Sequence, residues 1–234
     1  VKDDIVQLRD IRGEHGGGSV SIGGRVRINR EEVDSVIRID AKDIPVDEEF
    51  LGAIRHVVPD TQEFFEEFEV QGTIDVEKME LIRGGVSKEL LVTGRVLMAG
   101  VVLKDRDGPL EIEVVSGGLA ISNAGAEILP GTRVRVNGLL LNASGEIRAG
   151  SGYEARLDTD DLELSTEVLG ALRGLVPVLE DTSAWPELSG RAAVALDLKR
   201  RKGKDVINAE VTLRDVEVRP AAWTDTSIKN LNAR

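Results

Sequence analysis

Cysteine is absent from the 234 residues. That removes a disulfide framework, a zinc ribbon and a thiol nucleophile together. Aromatics are scarce, with four Phe, two Trp and one Tyr, and acids outnumber bases 42 to 30 for a net charge of -12. Such a chain lacks both the basic stripe and the stacking platforms that nucleic-acid binding uses, so nucleic acid is not an expected partner. No apolar run approaches the roughly 18 residues of a membrane-spanning helix. The chain opens at Val1 without a charged leader, an apolar h-region or a lipidation motif, as a trimmed piece of a longer protein would. What is plentiful is spaced apolar residues and 25 glycines. A 41% hydrophobic content is enough to bury a core and argues against disorder.

The strongest pattern is internal. The run from Arg38 to Arg55 aligns without a gap on Arg156 to Arg173, an offset of 118, and continues through Val58-Pro59 on Val176-Pro177. Identical pairs include Asp40/Asp158, Asp43/Asp161, Leu51/Leu169, Gly52/Gly170 and Ala53/Ala171. The match extends at offsets of 114 and 115, with Val20–Gly24 on Val134–Gly138 and Val92–Val96 on Ile207–Val211. Small shifts of offset are loop insertions, which surface loops tolerate. Two tandem units are therefore expected, 1–112 and 113–234.

Within each unit apolar residues alternate with polar ones. The runs are Val20 and Ile22; Val70, Gly72, Ile74 and Val76; Val92, Gly94, Val96 and Met98; Leu110, Ile112 and Val114; Val134, Val136, Gly138 and Leu140; Ala192, Val194, Leu196 and Leu198; and Ile207, Ala209, Val211 and Leu213. Period two means strands with one buried and one wet face, in an antiparallel sheet. Gly23-Gly24, Asp107-Gly108, Asn137-Gly138 and Ser144-Gly145 read as turns, because these residues accept the backbone conformations that tight turns need. About ten strands at roughly 4.8 Å would extend about 50 Å.

Each unit also carries one short helical stripe. Phe50, Leu51 and Ile54 share a face in a helix near 47–58, capped by Asp47 and stopped by Pro59. Leu169, Leu172 and Leu175 repeat the stripe near 165–176, between Ser165 and Pro177. Spacing of i, i+3 and i+4 makes each helix one-sided, so each must lie on the apolar face of the sheet.

Catalytic signatures are missing. His15-Gly16-Gly17-Gly18 is similar to an esterase oxyanion loop, but no G-x-S-x-G elbow accompanies it, and no Gly-Lys-Ser/Thr makes it a P-loop. It reads as a turn between strands. Asp158, Asp160 and Asp161 lack calcium-loop spacing. Like Asp40 and Asp43, they are expected to satisfy turn amides ahead of the helix. The basic run Lys199–Lys204 reads as a solvated hairpin tip. No nucleophile–base pair stands out, so neither an enzyme nor a metal or cofactor site is expected.

The strand–Asp–short-helix runs Asp43 to Pro59 and Asp161 to Pro177, the strands ending in Val-Gln-Gly72 and Leu-Ser-Gly190, and the Val211–Val216 strand followed by Ile228–Asn232 resemble the AsmA/TamB-like proteins of bacterial envelopes, within the wider class of bridge-like lipid-transfer proteins. The resemblance implies an internal segment of a periplasmic envelope bridge. Its partners would be phospholipid acyl chains and neighbouring repeat units or membrane-anchored envelope proteins. The expected fold is mainly β, with two tandem repeats of curled antiparallel sheet, groove- or taco-like, each carrying a short amphipathic α-helix. The alternating phase assigns Val20, Ile22, Val70, Ile74, Val76, Val92, Val96, Val134, Val136, Leu140, Ala192, Val194, Leu196, Ile207, Ala209, Val211 and Leu213 to the groove. A charge at Val194 or Val211 is then expected to expel lipid from a protein that stays folded. The rival expectation is a structural or adhesive β-repeat scaffold in which the same faces form a closed core.

Overall fold

The computed structural model describes residues 4–28, 33–57, 66–84, 89–108, 110–148, 152–165, 168, 170–171, 187–201, 204–219 and 228–233. Among the described residues fifteen strands form one sheet. In chain order they are β1 (Asp4–His15), β2 (Gly18–Ile28), β3 (Val33–Pro45), β4 (Phe68–Gln71), β5 (Thr73–Arg83), β6 (Leu90–Met98), β7 (Val101–Asp105), β8 (Glu111–Ser122), β9 (Gly125–Ile128), β10 (Thr132–Val136), β11 (Leu139–Arg148), β12 (Gly152–Leu164), β13 (Glu187–Arg201), β14 (Lys204–Arg219) and β15 (Ile228–Ala233). The helix α1 (Glu48–Val57) lies between β3 and β4.

The sheet is a meander in the order β1-β2-β3-β5-β6-β8-β10-β11-β12-β13-β14-β15, with β4, β7 and β9 attached beside it. These three side strands are halves of bent ones. β4 continues into β5 through Gly72 (φ +127°), and β6 continues into β7 through Gly100 (φ +73°). β4 then pairs with β7 while β5 pairs with β6. β8 bends at Gly117 (φ +131°), where a Cβ would stand 2.2 Å from Thr132 Oγ1. Only glycine accepts that backbone at that approach. The buried Thr132 hydroxyl donates to the Leu129 carbonyl at 2.7 Å and accepts from the Gly118 amide at 3.2 Å, which fixes the bend.

The sheet is also curved. Arg200 in β13 pairs with Glu67, just before β4, at 2.7 Å. Through the sheet those two strands are separated by β7, β8, β10, β11 and β12. Contact between strands so far apart requires the sheet to curl over. Inside the curl Ile74, Val101, Val114, Val134, Val136, Leu139, Leu141, Leu157, Val194 and Leu196 form the main core. Val136, Leu141 and Val194 are each 1% exposed.

Helix α1 is where the stripe requires it. The Asp47 carboxylate accepts the Phe50 amide at 2.9 Å, an N-cap bond that satisfies one orphan donor. Leu51 is buried and Phe50 packs on the main core; Ile54 lies on the same helix. For the second helix, the Val168 amide donates to Ser165 Oγ at 3.2 Å and residues 168, 170 and 171 are helical. Leu169, Leu172 and Leu175 lie outside the described residues.

The division at 112/113 falls inside β8, which is paired with β10 and β7 there. Three expectations change. Fifteen strand segments replace about ten, because glycine bends split long strands. Leu140 lies on the opposite face from the core. The Asn137-Gly138 turn (φ +47° and +92°) resets the alternation, pairing Val136 with Leu139 and Val134 with Leu141, while Leu140 faces out beside Arg135. The basic run does lie at the β13–β14 hairpin, where Arg201 pairs with Lys204, but Arg200 is half-buried against Glu67 and not simply solvated.

One register recurs. Ala41 pairs with Val76 and Ile44 with Ile74 across a bulge in β3–β5, and 118 residues later Thr159 pairs with Val194 and Leu162 with Ala192 across a bulge in β12–β13. The next strands follow suit, with Val76 on Val96 and Val194 on Val211. Gly72 and Gly190 (φ +135°) each abut the Cα of a buried valine, Val101 and Val216.

Candidate functional site

The concave face of the sheet is read row by row from its pairing. One row runs Gly13, Val20, Ala41, Val76, Val96, Leu119, Ile128. The next runs Ile11, Ile22, Ile39, Met79, Gly94, Ile121, Ala126, Ile147, Tyr153. A third begins Leu8, Gly24, Ile37, Leu81, Val92. No charged side chain interrupts any of them. The middle row crosses nine strands, about 40 Å at the usual interstrand spacing.

Cover is uneven along this face. Near α1 and in the second half of the sheet it is closed: Ile44, Ile74, Val134, Val136, Ala192, Val194 and Leu196 are buried. In the middle row Ile22, Ile39, Met79, Ile121 and the terminal Tyr153 are only half-buried, and Ile11 at one end and Ile147 beside Tyr153 at the other are 46% and 45% exposed. A Cβ at Gly13 would meet nothing within 4 Å, whereas the space at Gly94 is taken by Met79. The depression beside Gly13, Val20, Ala41 and Val76 is lined mostly by Arg12, Glu14, Ser19, Ser21, Asp40, Lys42, Asp75 and Glu77, whose side chains alternate with that row. The result is an apolar trough, closed at one side and open at the other.

The expected groove residues divide accordingly. Val20, Ile22, Val76, Val92 and Val96 line the half-covered rows, with Val20, Val76 and Val96 also packed against the main core. Ile74, Val134, Val136, Ala192, Val194 and Leu196 are in the closed core, and Val70, Val211 and Leu213 are half-buried against core residues. Val194 is thus a packing position, where a charge is expected to unfold the chain and not to empty a groove. Ala209 pairs with Leu196 yet is exposed, and Ile207 pairs with Leu198. Leu8, Ile11, Ile39, Met79 and Ile147 belong to the rows but escaped the sequence reading. Bulges at Asp10 (φ +50°) and Lys78 (φ +51°) break the period-two signal on their strands.

The polar candidates have structural roles. His15-Gly16-Gly17-Gly18 is the β1–β2 turn, docked on the start of α1. His15 Nε2 lies 3.1–3.2 Å from the Asp47 carboxylate oxygens and Nδ1 lies 4.0 Å from Glu49. The Phe50 amide, with His15 adding to it, holds the Asp47 carboxyl below the usual carboxylate range. Asp40 accepts the Lys78 amide at 2.8 Å, and Asp75 accepts the Asp43 amide at 2.7 Å. These aspartates therefore lock bulges between β3 and β5, and not the turn ahead of the helix. Asp161 faces Arg191 at 3.4 Å, and Asp158 pairs with Asn142 and Ala195 in the ladder. Among the described residues no three acidic or His side chains are grouped to hold a metal. No family model, no curated protein and no solved structure matches the chain.

Proposed function

We propose that this chain is a non-enzymatic lipid-binding segment that holds acyl chains in its apolar trough and leaves their head groups in water. The observation that carries the reading is the middle row: nine strands of uncharged side chains on a concave face, half-buried or exposed where a closed core would hide them. A contiguous exposed apolar surface of this kind marks a site of interaction, and each methylene buried there contributes about 0.8 kcal/mol. The chain is a tandem of two units, a reading supported by the bulge register recurring at 118 residues and by the paired Gly72/Val101 and Gly190/Val216 contacts. The resemblance noted from the sequence places it in a bacterial envelope, facing the periplasm, as part of a lipid-transfer bridge with neighbouring units or membrane-anchored proteins at its ends. The scaffold alternative draws on the second half of the sheet, where the same face is a filled core.

Native mass spectrometry of the purified chain, with organic extraction of what accompanies it, separates the two. Co-purifying phospholipid that is lost in Ile22→Glu and Ile39→Glu variants with unchanged circular dichroism is the expected result. Val194→Glu is expected to unfold, since it buries an unpaired charge. A bare polypeptide mass, unchanged after incubation with phospholipid vesicles, overturns the lipid reading in favour of the scaffold.

A further inference from the structure

Five of the eight large apolar side chains exposed among the described residues gather at one place; Ile11, Ile147 and Val206 lie elsewhere. Ile5 and Val6 begin β1, Ile28 ends β2, and Leu90 and Leu91 begin β6; all are 40% to 53% exposed. The register brings them to one rim. Asp4 pairs with Ile28 and Val6 with Val26; Val26 pairs with Ser35, Ser35 with Arg83, and Arg83 with Leu90. This rim is the end of the strands away from α1. Isolated exposed apolar residues need no explanation, but a contiguous group does.

Charge divides along the same axis. At the α1 end Asp40, Asp43, Asp47, Glu48, Glu49 and Asp75 crowd together, and among the described residues acids outnumber bases on that side of the sheet. At the far end of β1, β2, β3, β5 and β6 the charges balance, with Arg9, Arg25, Arg27, Arg38 and Arg83 against Asp4, Asp10, Asp34, Glu80 and Glu89 among the described residues. Arg25, Arg27 and Arg83 are exposed there and make no ion pair among the described residues. They stand beside the apolar side chains, Arg27 opposite Ile5 and Arg83 opposite Leu90. A chain of net charge -12 that sets three exposed arginines, without ion pairs among the described residues, beside its exposed isoleucines and leucines has one end better suited to an anionic, partly apolar surface than the acidic other end.

We propose that this rim docks end-on onto an anionic lipid bilayer. Ile5, Val6, Ile28, Leu90 and Leu91 enter the boundary between head groups and acyl chains, and Arg25, Arg27 and Arg83 meet lipid phosphates. Apolar insertion plus electrostatic attraction to anionic lipid is the general basis of interfacial binding. The acidic α1 end then points into solution, and the open side of the trough faces the lipid. The inference rests on the lipid reading above and adds to it the membrane-facing end and the class of lipid.

The test is flotation of the whole chain with vesicles of phosphatidylcholine alone and of phosphatidylcholine with 30% phosphatidylglycerol. Binding to the second and not the first is expected, weakening as salt rises. The triple variant Arg25→Gln/Arg27→Gln/Arg83→Gln is expected to bind on the order of a hundredfold more weakly. The control Lys104→Gln/Arg106→Gln/Arg133→Gln, which removes the same charge from exposed positions away from the rim, is expected to bind no more weakly than the parent. Equal binding to both vesicles, equal loss in the two triple variants, or no flotation at all overturns the docking. So does concentration-dependent self-association abolished by the rim variants, which would make a second copy the occupant. A chain that carries lipid in the mass spectrometer but does not float loses only the docking. One that floats but carries no lipid loses the trough.

Discussion

Asp47 shows how one side chain holds two elements. Its carboxylate caps α1 through the Phe50 amide and meets His15 on the β1–β2 turn, so helix and hairpin share an anchor. Because these contacts favour the ionised form, the folded-state pKa lies below the ordinary value near 3.9. The stabilisation is therefore complete above that value and is lost as pH falls through the folded pKa. Asp47→Asn keeps a good capping residue but removes the charge. Its melting temperature is expected to depend less steeply on pH in the acid range than that of the parent, with the two curves converging at the lowest pH. Parallel curves across pH 7 to 2 would show that the ionisation of Asp47 is not coupled to folding.

At the scale of the element, glycine decides whether a strand runs straight. Gly72 sits at φ +127°, and an added Cβ would stand 2.9 Å from Val101 Cα and 3.0 Å from the Gly100 carbonyl oxygen. Gly72→Ala thus meets backbone that cannot swing aside and is expected to cost about 1–3 kcal/mol. Gly52, inside α1, has open space around the same position. Gly52→Ala is expected to stabilise by about 0.5–1 kcal/mol, because alanine loses less backbone freedom in a helix. Urea unfolding of both variants checks the opposite signs. Here too lies the boundary of what the sequence reveals. Alternation finds most strands and the core positions Val134, Val136, Val194 and Leu196, and the i, i+3, i+4 stripe finds α1. Phase is carried only as far as the next turn or bulge, so Leu140 is misassigned across Asn137-Gly138, and Leu8, Ile11 and Met79 drop out of the pattern beside Asp10 and Lys78. The trough is partly legible for the same reason: its rows are a product of register, which depends on bulges whose positive φ values leave only a weak mark in residue type.

For the whole molecule the informative contact is Glu67 with Arg200, 133 residues apart. No local pattern announces it, yet it joins the two sides of the curled sheet. Both side chains keep about a third of their exposure, so the pair itself contributes at most about 1 kcal/mol. Arg200→Gln is accordingly expected to leave the melting temperature nearly unchanged. Its effect should appear locally, as faster hydrogen exchange at the amides of Phe68–Gln71 than in the parent, since local opening depends on few contacts. Unchanged exchange there would mean that the curl is held by apolar packing alone.

The meander carries a consequence for how the protein is made. With the bent pairs β4–β5, β6–β7 and β9–β10 each counted as one strand, every strand's partners are those just before and just after it in the chain. Such pairing keeps loop-closure costs low, and a polypeptide that emerges N-terminus first can add each strand to an edge already formed. Folding can therefore be vectorial. The growing edge is always the newest strand, and what waits for the C-terminal part is the clasp from Arg200 back to Glu67.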